Sequence, residues 1–160
     1  MNKLLALAKH LQIDYFEYDN EWYIGVSQEE FNKQEEKLLE KDLDVQEYIN
    51  EEGYALLEEE IEQTSYDDCE FSYGEQEYLV LTNDEADDRA YDYVYSVWEE
   101  CYLTDKITKQ LGFLANYIDL NQATIDAIKI DGRGHSLAGY DGHESYEEIN
   151  GKTYYIYRTN

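Results

Sequence analysis

The sequence predicts an α+β fold in which a tyrosine-rich antiparallel sheet, built from hairpins, carries acidic amphipathic helices. Three observations support this. Turn residues that tolerate positive φ, Asp19-Asn20, Gly74 and Asn150-Gly151, each separate two strand-like runs. Ser27 with Glu30 and Thr82 with Glu85 have the capping-box spacing that opens a helix. The chain also holds 18 Tyr, 4 Phe and 2 Trp, an aromatic content that separates it from disordered acidic segments.

The elements follow in order. Asn2 to Leu11 reads as a short helix with Leu4, Leu5, Leu7, Ala8 and Leu11 on its apolar side, a lid for the core. Tyr15–Tyr18 and Trp22–Val26 form the first hairpin. Ser27 then opens a helix that carries Phe31, Leu38 and Leu39 and is interrupted near Asp42. A further helix over Val45–Ile61, broken at Gly53, buries Val45, Tyr48, Ile49, Leu56, Leu57 and Ile61 and turns acids outward. Thr64–Asp68 is a polar connection to the second hairpin, Glu70–Tyr73 and Glu77–Leu81.

The stretch from Leu79 to Tyr102 is the centre of the reading, because a strand runs straight into a capped helix there. At 100° per residue, Ala86, Ala90, Tyr93, Val94, Val97 and Cys101 share one face and predict a buried stripe. Asp84, Asp88, Asp92, Tyr95 and Glu99 fall opposite. Like charges at i,i+4 cost a helix about 0.2–0.5 kcal/mol per pair, so helix stability alone does not favour that ridge. Beyond Cys101 the helix continues or restarts through Ile107, Leu111, Phe113 and Leu114, with Gly112 as a break. Gln122–Ile130 is a short helix with Ile125, Ile128 and Ile130 as apolar contacts. Gly132, Gly134, Gly139 and Gly142 predict a loop over residues 131–144, followed by a C-terminal hairpin over residues 144–158.

The length of 160 residues fits one domain. At a fixed offset of 55, Tyr18 meets Tyr73, Tyr23 meets Tyr78, Ile24 meets Leu79, Ser27 meets Thr82 and Glu30 meets Glu85. This points to duplicated hairpin-plus-helix units over residues 15–63 and 70–118, arranged across a shared sheet.

Charge narrows the function classes. The chain has 38 acids and 12 bases, a net of −26, and residues 14–105 alone hold 31 acids against four bases. Such a charge steers the protein toward basic partners and away from nucleic acid or anionic membrane. A globule of this length is roughly 40 Å across, so the charge density is about one per 1.5 Å, close to the ~1.7 Å of duplex DNA. The candidate partner-binding residues are Asp84, Asp87, Asp88, Asp92, Tyr95 and Glu99, with Glu58, Glu59, Glu62, Asp67 and Asp68 as a second acidic group. Tyr and Trp interleaved with charge suit a protein interface.

Catalysis has one foothold. Arg133, His135, Tyr140, Asp141, His143 and Glu144 lie within twelve residues, where a base, an acid and an anion-holding arginine could meet. A small hydrolase or nucleotide-processing enzyme centred on Arg133, His135 and Asp141 is therefore the alternative to a binding protein, and a structural or scaffolding protein is the third reading. The two histidines, eight residues apart, fit no standard metal pattern, and no acidic run completes a calcium loop. No metal or cofactor is expected. Cys69 and Cys101 fit no disulfide framework, and no leader or membrane-spanning run is present, so a cytoplasmic protein is expected.

YLVLTNDEADD, GRGHSLAGYDGHE and YYIYRTN resemble segments of small acidic proteins encoded by bacteriophages. The composition is similar to that of viral DNA mimics that block restriction or CRISPR machinery. The matching segments cover about a quarter of the chain and carry no functional residue across. The resemblance implies a phage accessory protein that disarms or redirects a host nucleic-acid-binding protein; with the missing catalytic motifs, the expectation is a non-enzymatic protein in the host cytoplasm whose partner is a basic nucleic-acid-binding defence protein.

Overall fold

The computed structural model describes the chain except residues 103 and 104, and the side chains except those of residues 102–107. In order, the elements are α1 (Asn2–His10), β1 (Tyr15–Tyr18), β2 (Glu21–Ile24), α2 (Gln28–Glu40), α3 (Val45–Glu52), α4 (Leu57–Glu60), β3 (Ile61–Gln63), β4 (Glu70–Tyr73), β5 (Gln76–Leu81) and α5 (Asn83–Val97). A π-helical turn (Trp98–Tyr102), α6 (Asp105–Leu111), a 3₁₀ segment (Gly112–Tyr117), α7 (Leu120–Asp131), α8 (Arg133–Leu137), β6 (Ser145–Ile149) and β7 (Lys152–Arg158) complete the chain. The α+β class and the antiparallel sheet are as expected.

Five strands form the main sheet in the order β3-β4-β5-β7-β6, every pair antiparallel. β5 lies at its centre, and Tyr78, Leu79, Val80 and Leu81 are all buried. Side chains alternate across a sheet, so a continuous buried run requires cover on both faces. One cover is α1, whose Leu4, Leu5 and Leu7 pack with Phe71, Tyr78, Val80, Tyr154 and Ile156. Nine residues are too few for a stable isolated helix, and burying three leucines at about 2 kcal/mol each supplies what α1 lacks. On the other face Leu79, Leu81 and Tyr157 pack with Ala86 of α5 and Ala138.

β1 and β2 form a separate two-stranded sheet. Phe16 and Tyr23 on one of its faces form a third core cluster with Phe31, Val45 and Ile49, while Tyr15, Trp22 and Ile24 on the other face join the α1 cluster. The predicted shared sheet is therefore not formed. The offset of 55 nonetheless carries pairing onto pairing: Phe16 opposes Tyr23 as Phe71 opposes Tyr78, and Tyr15 opposes Ile24 as Glu70 opposes Leu79. The Tyr23 hydroxyl donates to Glu21 and the Tyr78 hydroxyl to Gln76, 55 residues on.

Several expectations need correction. The helix expected over Val45–Ile61 does break at Gly53, which adopts φ +71°, but the chain then re-enters helix only for Leu57–Glu60. Ile61–Gln63 is then a strand, missed because three residues with one apolar member carry no alternation. The residues expected as a loop over 131–144 include α8. Gly134 is buried within it, and a Cβ there would stand 2.4 Å from the Gly142 carbonyl oxygen, so glycine permits the close approach of helix and turn. Leu39 is exposed, although Phe31 on the same helix is buried.

At the centre, Thr82 and Glu85 complete the capping box. The Glu85 amide donates to the Thr82 hydroxyl, and the Thr82 amide donates to the Glu85 carboxylate at 2.7 Å. Lys3 of α1 also reaches Glu85 at 2.9 Å and is itself largely buried. Partial burial pushes the Glu85 carboxyl up, but the bonds from the Thr82 backbone, Lys3 and the Thr82 hydroxyl outweigh it and leave its pKa below the ordinary 4.5. A carboxyl depressed in the folded state stabilises the protein above its unfolded pKa, and that contribution is lost as pH falls through the folded value. Glu85→Gln is accordingly expected to cost about 1 kcal/mol near neutral pH through the weakened cap and the unpaired Lys3. The gap from wild type should close at strongly acid pH. Thermal melts across pH check this, and a gap independent of pH contradicts it.

Candidate functional site

The ridge lies on α5, whose position is set by β5 and the Thr82 cap. Ala86 and Ala90 face the core and are buried, while Asp84, Asp88 and Asp92 are exposed on the opposite side. Asp84 in the first turn also suits the positive end of the helix dipole. Among the described residues, no basic side chain forms an ion pair with Asp84, Asp88, Asp92 or Glu99. Tyr95 stacks on Tyr91 at 5.8 Å, and Glu99 beside it raises its hydroxyl pKa.

The second acidic group is also exposed: Glu58 and Glu59 on α4, Glu62 on β3, and Asp67 and Asp68 in the β3–β4 connection. Arg89 joins this group to the ridge. Its guanidinium pairs with Asp67 and, at 3.4 Å, with Glu70, holding the connection against the flank of α5 next to Asp88. Ser65 donates to Asp67, and this bond, with Arg89 and backbone amides, holds the Asp67 carboxyl below its ordinary value against the opposing effect of burial. Asp67 and Asp87 thus stand on the acidic surface with an arginine already beside them.

Arg133 is the partner of Asp87, and its environment decides what the glycine-rich segment does. Its side chain is 12% exposed. Nε and Nη2 grip Glu144 at 2.9 and 3.1 Å, Nη1 reaches Asp87 at 2.9 Å and the Asn83 side chain at 3.0 Å, and the guanidinium lies 4.3 Å from the centre of the Tyr155 ring. Burial pulls the guanidinium pKa down, but Glu144 more than compensates and leaves it raised. Burial also pushes the Tyr157 hydroxyl far up, together with its bond to Glu144 at 2.6 Å. Asp141 accepts from the His143 amide in a tight turn, and His135 is an exposed member of a groove wall. No contact joins Arg133, His135 and Asp141 among the described residues; Arg133 of α8 ties α5 to the Glu144 segment before β6 and to Tyr155 of β7. Among the described residues no three His, Cys, Asp or Glu side chains gather where a metal ion could be held, and no helix is long and apolar enough to cross a membrane.

The predicted apolar stripe of α5 departs from expectation in its second half. Val94 and Val97 are only half-buried, Tyr93 is 54% exposed, and Cys101 is exposed. This half packs on α7 and α8 instead of the sheet. At Trp98 the helix widens to π geometry, which shifts the face of every later residue and takes Cys101 out of the stripe. Periodicity at a constant 100° carries no sign of such a shift. The result is an open groove of about 410 Å³ lined by Tyr93, Val94, Val97, Trp98, Ala127 and His135, with Asp131 and Ser136 completing its wall.

No protein family, curated protein or solved structure matches the chain.

If Arg133 is a structural tie, Arg133→Met should cost about 3 kcal/mol, because the partly shielded Glu144 carboxylate, which also accepts from the buried Tyr157 hydroxyl, is left without its counter-charge. His135→Ala, on an exposed side chain, should stay within about 0.5 kcal/mol of wild type. Chemical denaturation of the two variants measures this, and equal effects would contradict the assignment.

Proposed function

We propose that the protein is a non-enzymatic binding protein that presents a DNA-like negative surface to the basic cleft of a nucleic-acid-handling protein. The resemblance to phage proteins makes a host restriction or CRISPR defence protein the expected target, met in the host cytoplasm. One observation carries the reading: α5 leaves Asp84, Asp88 and Asp92 exposed along its outer face, while the nearby bases Lys3, Arg89 and Arg133 pair with Glu85, Asp67 and Asp87 instead.

Spacing supports the reading. Residues four apart on a helix advance about 6 Å along its axis, and alternate phosphates of one DNA strand are about 6.8 Å apart along the duplex axis. Three aspartates at this interval can occupy lysine and arginine sites shaped for every second phosphate, with a mismatch of about 1.6 Å over the run. The Asp67, Asp68 and Glu70 carboxylates, held beside α5 by Arg89, widen the surface. Tyr91 and Tyr95 add stacked aromatic area on the same helix.

A partner held this way associates fast, dissociates readily as salt rises, and excludes nucleic acid from the same cleft. Asp88→Lys combined with Asp92→Lys should weaken binding several-fold, mainly through slower association, with an unchanged fold because neither side chain packs on the core. Competition against labelled nucleic acid on a partner captured from bacterial lysate tests this. Simultaneous binding of protein and nucleic acid would rule out mimicry at that cleft.

A further inference from the structure

Lys3 has a second close contact besides Glu85, and it is to sulfur. Its Nζ lies 2.9 Å from the Sγ of Cys69, the residue before β4, and 2.9 Å from a carboxylate oxygen of Glu85. The Cys69 thiol donates to the Asp67 carbonyl oxygen at 3.2 Å, so its hydrogen is committed to the backbone and a sulfur lone pair faces the nitrogen. Cys69 is 4% exposed and the Lys3 side chain 12%. Withdrawing an ammonium from water beside a thiol is costly. Holding Glu85 does not require the sulfur, because Glu85 already accepts from the Thr82 amide and hydroxyl.

Sulfur is the most readily oxidised atom of this cluster, and oxidised cysteine condenses with a neighbouring thiol or nitrogen. The separation decides the product. One oxygen atom, at ordinary single-bond lengths and a bent angle, bridges a nitrogen and a sulfur that lie this close. A direct N–S bond would require α1 to move toward the sheet, which the packing of Leu4, Leu5 and Leu7 against it resists.

We propose that Lys3 and Cys69 are a redox-dependent cross-linking site, at which dioxygen joins the two side chains through an N–O–S bridge. One oxygen atom bonds to both Nζ and Sγ. The other leaves as water with two of the hydrogens that the ammonium and the thiol carried, and one proton leaves by way of the Glu85 carboxylate, whose side chain is 41% exposed. Nitrogen and sulfur each lose two electrons, and each oxygen atom gains two. Burial pulls the Lys3 pKa down, but Cys69 and Glu85, the titratable groups that act on it, outweigh burial and leave it raised. The free amine is therefore scarce at neutral pH, and the bridge forms faster as pH rises. Once formed, it joins residues 66 apart in the chain and restricts the unfolded state as a disulfide does. This inference stands independently of what α5 binds.

Mass spectrometry of the Cys101→Ser protein, which lacks the exposed thiol, after incubation in dioxygen-saturated, mildly alkaline buffer tests it. The intact chain should gain the mass of one oxygen atom less two hydrogen atoms, and proteolysis should release two peptides joined through residues 3 and 69. Dithiothreitol should reverse both changes and lower the melting temperature of the oxidised protein by about 5–10 °C. Lys3→Arg in the same background keeps a positive charge opposite Glu85 but has no free amine, and it should show no joined peptides. An unchanged mass, a gain of oxygen without loss of hydrogen, or a loss of two hydrogens alone, the signature of a direct N–S bond, would each overturn the proposal.

Discussion

Strand β5 hydrogen-bonds to β4 along one edge and to β7 along the other, and the run Tyr78–Leu81 is covered on both faces. Its burial ties the second residue block of the chain to the last one, since Val80 pairs with Ile156 and Leu81 with Tyr155. The strand ends one residue before Thr82, so the helix that follows starts from a point held on every side. The capping box and Lys3 then set its first turn. Whatever α5 presents to solvent is therefore presented rigidly, which is the condition for recognition by shape and charge rather than by folding upon binding.

Self-repulsion at −26 opposes any compact state, and the placement of the bases shows how it is offset. Lys3 joins α1 to α5, Lys9 joins α1 to β6, Arg89 joins α5 to the β3–β4 connection, and Arg133 joins α5 to the Glu144 segment. Each of these ion pairs crosses between elements. Lys3 and Arg133 are mostly shielded from water, where pairing is worth more than at the surface. Neutralisation at the junctions holds the elements together and leaves the outer face of α5 uncompensated. The same few bases thus account for both the stability of the fold and the sign of its surface.

Local signals made much of this readable in the sequence. The Asn150-Gly151 hairpin and the Thr82 cap were visible because their chemistry lies within a few residues, and the buried Ala86 and Ala90 followed from helical period. The exposed Asp84, Asp88 and Asp92 followed from the same period read from the other side. Three things were not readable. The β5–β7 pairing spans most of the C-terminal half and depends on no local motif. The ties of Arg133 depend on Glu144, Asp87 and Tyr155 arriving from three parts of the chain, which no local motif announces. The groove beside Val94 and Val97 arises because α5 leaves the sheet and turns π-helical, whereas a stripe of apolar residues reads the same whether a core or a partner covers it.

The proposed binding surface on the outer face of α5 is tested most directly by a structure of the protein bound to a captured basic partner. Lysine or arginine side chains from a nucleic-acid cleft are expected within ion-pair distance of Asp84, Asp88 and Asp92, with α5 lying along the path of a DNA or RNA strand. A partner seated elsewhere, with those three carboxylates left in water, would contradict it.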